Sequence, residues 1–98
     1  MSVLLDVNVL IAAHRVDHPA HHRCLTLVDG PLRNGFALCP HIWNGFLRLV
    51  TDARVFTRPT PIDVAVATMT GWRARPLSEV LPETPAVWDV FIRLGRQQ

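Results

Sequence analysis

A chain of 98 residues, 49% hydrophobic and 18% charged, with a mean hydropathy of +0.20, has the apolar content of one small globular domain and excludes disorder or a multidomain layout. Ten basic residues against eight acidic ones leave a net charge of +2 and a sequence pI near 9.0. That is only mildly basic, so charge alone argues for no nucleic-acid partner. The first element is a short apolar run, Val3, Leu4 and Leu5, of the kind expected from a strand buried on both faces, and it stops at Asp6. Asn8 is a cap for a short helix carrying Val9, Leu10, Ala12 and Ala13, and residues 14–18 read as a polar break. Pro19 then opens a second helix, with Ala20, Cys24, Leu27 and Val28 on one face and Asp29-Gly30-Pro31 ending it.

After the Asn34-Gly35 turn, residues 36–39 form a second apolar run, and Pro40 leads into a helix carrying Trp43, Phe46, Leu47 and Val50. Thr60-Pro61-Ile62-Asp63 supplies an N-cap, a proline at the first helical position and an acid in the first turn. Ile62, Ala65, Val66, Met69 and Trp72 then mark one helical face. Residues 77–81 are a candidate third strand, and Thr84-Pro85 opens a last helix with Val87, Trp88, Phe91 and Ile92 inward. Buried strand runs interleaved with helices predict an α/β sandwich around a short parallel sheet, with ligands expected at the carboxyl ends of the strands.

The opening Met-Ser-Val-Leu-Leu-Asp has no basic leader, and no run has the length of a membrane-spanning helix, so the chain reads as cytoplasmic with no membrane partner. Cys24 and Cys39 lack metal-site spacing and are read as reduced core thiols. All ten cations are arginines. Coding bias is the simpler account, although it leaves every cation planar and able to fork onto phosphate.

Asp6 is the most informative residue. A carboxylate at the end of a buried strand is costly unless solvated, paired or bound to metal, and Asn8 stands two residues on. Oxygen donors of this kind suit hard cations such as Mg²⁺ or Mn²⁺. By spacing alone, helix capping by Asp6 and Asn8 is the plainer alternative.

The segment Leu-Leu-Asp-Val-Asn-Val-Leu, residues 4–10, resembles the opening of a PIN domain of the VapC toxin type. The resemblance continues through the His-rich entry at residues 18–24, Leu38-Cys39-Pro40, the Phe46-Leu47-Arg48 core of the next helix, Arg54-Val55-Phe56, and the Pro59-Thr60-Pro61 opening of a helix that ends at Trp72 before Arg75-Pro76. It implies a PIN-like three-layer α/β/α sandwich. Residues 1–98 would form a single, partial PIN-like domain lacking its C-terminal strands. It also implies the toxin of a toxin-antitoxin pair, a homodimer silenced by its antitoxin, cleaving RNA through carboxylates that hold Mg²⁺ or Mn²⁺. Asp6 matches the family's first acidic metal ligand and Asn8 the position that supports the site.

The chain departs from the family where a glutamate is usual, having Trp43, Asn44 and Gly45, and it ends at Gln98 before the segment that carries the family's later aspartates. A second expectation follows: a catalytically inactive, truncated PIN-like binding or dimerisation module. Arg15, Asn44 and Arg48 are the candidate RNA contacts, joined by Arg54, and for the arginines ordinary solvation serves as well. Asp29 and Asp63 have structural roles in a turn and a helix start, and Asp89 belongs to a solvated helix face. His14, His18 and His22 fall at i, i+4 spacing, but Pro19 interrupts that helix and favours a solvated loop over a transition-metal site. Trp43, Trp72 and Trp88 are read as core or dimer-interface residues.

Overall fold

The computed structural model describes residues 3–82. The order is α1 (Val7–His14), α2 (His21–Asp29), β1 (Ala37–Leu38), α3 (Pro40–Val50), α4 (Ile62–Arg73) and β2 (Glu79–Val80). The sheet is parallel throughout. β1 pairs with β2 in the register Ala37↔Glu79 and Leu38↔Val80, and Leu4 bridges Ala37 on the other side. The expected α/β class is therefore present, with β1 at the centre. The amide of Ala37 donates to the Val3 carbonyl and that of Leu81 to the Leu38 carbonyl, each at 2.7 Å.

Burial follows from this order. Both β1 residues are fully enclosed, whereas both β2 residues are exposed. In α3, Pro40 occupies the first turn, where its missing N–H costs nothing, and Ile42, Phe46 and Val50 recur at i, i+4 and i+8 with no exposed surface. α1 buries four consecutive residues, Leu10 to Ala13. Rings complete the core: Trp72 meets Phe46 edge-on at 5.2 Å between centroids and lies 6.2 Å from Phe36.

The turn before β1 requires a glycine. Gly35 has φ +138°, and a Cβ there would collide with the backbone of Leu77 and Ser78. This close approach lets Leu77 N–H reach the Asn34 carbonyl at 2.7 Å and Phe36 N–H reach the Ser78 hydroxyl at 3.2 Å, so the entries to β1 and β2 are tied together.

Several boundaries and faces differ from expectation. The apolar run Val3, Leu4 and Leu5 forms no regular strand and meets β1 through the single Leu4 bridge. α1 starts at Val7 with Asp6 as its N-cap residue, so Asn8 lies in the first turn instead of capping it. α4 starts at Ile62 with Pro61 as its N-cap residue. Thr60 is displaced from the capping role because its hydroxyl is used elsewhere, accepting from Arg15 at 3.2 Å and bonding His14 Nε2 at 2.9 Å. On α4 only Ala65, Met69 and Trp72 are buried, while Ile62 is 60% and Val66 44% exposed. The helix meets the core along a stripe narrower than its apolar face. Cys39 is buried but Cys24 only partly so, and both are free thiols. The last helix expected from Thr84, with Trp88 and Asp89, lies outside the described residues.

Candidate functional site

A parallel sheet sends the carboxyl ends of all its strands to one edge. Leu4 meets Ala37 through an isolated parallel bridge two residues before Asp6, and Asp6 and Cys39, two residues past that bridge on either side, both have extended backbones. α1 leaves from Asp6 and α3 from Cys39. Two helix N-termini thus open where the strands end, an arrangement that favours negative charge.

Asp6 is only 5% exposed. Its backbone carbonyl accepts from Val9 and Leu10 (3.1 and 3.4 Å), but its carboxylate makes no cap bond. Nor does it engage any other partner among the described residues. No fully sealed side-chain oxygen lacks a partner among those residues, so the Asp6 oxygens keep contact with solvent. The capping account of Asp6 therefore does not describe this carboxylate. It is a nearly enclosed anion whose oxygens remain available to a ligand from outside, a hard donor suited to a divalent cation.

The other expected residues divide. Asn8 is exposed in the first turn of α1, lining a groove between α1 and α2. A Cβ on Gly45 would lie 3.5 Å from Val7 Cγ2, so the exposed Asn44 sits on the turn of α3 that passes the start of α1. Arg48 is exposed one turn further along α3. Arg15 is brought to none of these. It follows the opposite end of α1 and is 9% exposed. There it donates from Nε and NH2 to both Asp17 oxygens (3.0 and 2.7 Å) and from NH1 to the Arg58 carbonyl (2.7 Å) and Thr60. Its guanidinium also stacks 4.2 Å from the Phe56 ring centre. Arg54 is tied to Asp52.

Charge pairing explains the perturbed groups. Hydrogen bonds from Arg15 hold the Asp17 carboxyl below its ordinary range, and those from Arg54 do the same for Asp52. Burial first, then the charges of Arg15 and His21, push His14 down. His21 Nδ1 bonds the Ala12 carbonyl at 2.9 Å, and His18 Nδ1 accepts the Ala20 amide at 3.0 Å. Among the described residues, no three His, Cys, Asp or Glu side chains are grouped to hold a metal. No helix of these residues is long and apolar enough to cross a membrane. Sequence reasoning passed over Arg23, which the structure places on the same groove as Asn8. Its only signal was being the one arginine of α2.

The fold and this edge define an α/β protein with a nearly buried carboxylate, Asp6, at the start of α1. No protein-family model matches the chain. Among curated proteins, it is 40% identical over 84 residues to Ribonuclease VapC25 of Mycobacterium tuberculosis, covering 84% of this chain and 58% of that protein. It is 42% identical over 67 residues to Ribonuclease VapC44 of the same organism, covering 68% and 45%. With Ribonuclease VapC37, also of that organism, it shares 32% identity over 95 residues, covering 93% and 65%. The chain belongs to the VapC-type PIN family, and it spans a little over half the length of the first of these relatives.

Proposed function

We propose that the protein is the toxin of a toxin-antitoxin pair, an Mg²⁺- or Mn²⁺-dependent endoribonuclease that acts in the cytoplasm. The observation that carries this reading is Asp6, almost fully enclosed at the carboxyl edge yet with no partner for its carboxylate among the described residues. The relatives' designation as ribonucleases supports RNA as the substrate. VapC likeness supports an antitoxin protein as the silencing partner and a second copy as the dimer mate.

The donor chemistry fits a hard cation. Mg²⁺ takes one or two protein carboxylates and completes its shell with water and substrate oxygens. When bound, it supplies a fixed positive charge that polarises a phosphodiester and acidifies a water. Asp6 provides the anionic oxygen, Asn8 an amide at the same helix start, and Asn44 a neutral oxygen from α3. The N-terminus of α1 adds partial positive charge where the phosphate would lie.

The test is cleavage of single-stranded RNA by the full-length protein with Mg²⁺ or Mn²⁺, alongside Mn²⁺ binding by titration. Asp6→Asn is expected to lower cleavage about 100-fold or more, as loss of several kcal/mol of transition-state charge stabilisation requires, and to weaken Mn²⁺ binding. Undiminished cleavage by that variant would remove Asp6 from the site. If the parent protein neither cuts RNA nor binds metal, the binding-module reading replaces the nuclease one.

A further inference from the structure

The groove between α1 and α2 is lined by Asn8, Val9, Ala12, His18, Arg23 and Cys24 and offers about 460 Å³, within the range of sites for small ligands. It starts at Asn8, two residues from Asp6, and follows one turn of α1 to Ala12, about 6 Å. None of its lining residues is an acid. Arg15, Arg54 and Arg75 are each neutralised by an aspartate, but Arg23 is exposed and has no ion pair among the described residues. His18 accepts the Ala20 amide on Nδ1, which places the proton of its neutral ring on Nε2 as a donor. Val9 and Ala12 supply an apolar wall.

Donors without competing acids, beside an apolar wall, fit a phosphate together with its sugar or base. We propose that this groove carries the RNA strand as it leaves Asp6, with the Arg23 guanidinium on a backbone phosphate and His18 Nε2 donating beside it. The proposal rests on the ribonuclease reading and adds a binding residue to it. Arg23 acts by phosphate pairing, so it contributes affinity and not base preference.

Cys24 is a built-in reporter, partly exposed in the groove while Cys39 is buried. A fluorescein-labelled single-stranded RNA would be titrated in EDTA, so that nothing is cut, against the parent chain, Arg23→Ala and Arg33→Ala. Arg33 is an exposed arginine bonded to the Gly30 carbonyl and serves as the charge-matched control. Arg23→Ala is expected to bind about 5- to 10-fold more weakly, with the salt dependence reduced by roughly 0.7 in log–log slope, one phosphate's worth for a single strand. Arg33→Ala should behave like the parent. RNA should slow iodoacetamide alkylation of Cys24 in the parent, and Arg23→Ala should need about 5- to 10-fold more RNA for the same protection. Unchanged affinity and slope in Arg23→Ala, with RNA still bound by the parent, overturns the groove and leaves the ribonuclease reading standing. A parent that binds no RNA in EDTA overturns the groove, and the ribonuclease reading is then decided by the cleavage assay with Mg²⁺ or Mn²⁺. Protection of Cys24 by polyglutamate but not by RNA would assign the groove to an acidic protein and overturn the proposal.

Discussion

Asp6 and Arg15 flank the same eight-residue helix and are both nearly buried, but their surroundings are opposite. Arg15 directs donors to Asp17, Arg58 and Thr60, so its desolvation is compensated inside the fold. Asp6 receives nothing comparable from the described residues, and that imbalance is what the proposed role of Asp6 rests on. His14 sits next to the Arg15 cluster, edge-on to Phe46 at 5.4 Å and bonded to Thr60. Its pKa is lowered by burial, then by Arg15 and His21. As pH falls, the unfolded chain therefore takes up this proton before the folded one. His14 contributes stability that is full above its ordinary value near 6.5 and lost as pH drops through that value toward the lower folded one. The urea midpoint should fall between pH 7.5 and 5, and less steeply in His14→Gln. An identical slope in that variant would show that His14 is not the responsible group.

At the scale of elements, helical periodicity located α2, α3 and α4 within a few residues, because burying one stripe leaves a 3.6-residue signature in the sequence. The width of the stripe was not legible. Val66 and Met69 look equivalent as residue types, but α4 lies against the core so that Met69 and Trp72 enter it and Val66 stays outside. Trp72→Ala should cost about 3–5 kcal/mol, the range for a buried aromatic truncated in a packed core. Val66→Thr should stay within about 0.5 kcal/mol. Urea denaturation of both decides the matter: a comparable cost for the two would mean that α4 is rotated from the position described.

At the scale of the whole molecule, Arg75 ties the end of α4 to α2 and to the loop before β1. Its NH1 reaches the carbonyls of Val28 (2.6 Å) and Leu32 (3.3 Å), and NH2 pairs with Asp29 at 2.7 Å. The ion pair involves a half-exposed aspartate and is screened, whereas the carbonyls are left wanting if the guanidinium goes. Asp29→Asn should therefore change stability by less than about 1 kcal/mol, and Arg75→Ala should cost about 1–3 kcal/mol. Equal losses by thermal melting would shift the weight to the ion pair. The sequence by itself determined the order and type of α1 to α4, β1 and β2 and the α/β class, since these follow from local apolar spacing and from proline and glycine punctuation. The run of residues 3–5, by contrast, meets the sheet through a single bridge at Leu4. Only the tertiary structure decided which arginines turn inward, why Thr60 bonds His14 and Arg15 instead of capping α4, and that Asn8 and Arg23 share a groove. Pairings such as Arg15 with Thr60 or Arg75 with Val28 join residues more than forty positions apart. They form only once the core has set the helices against one another, and no local spacing encodes that.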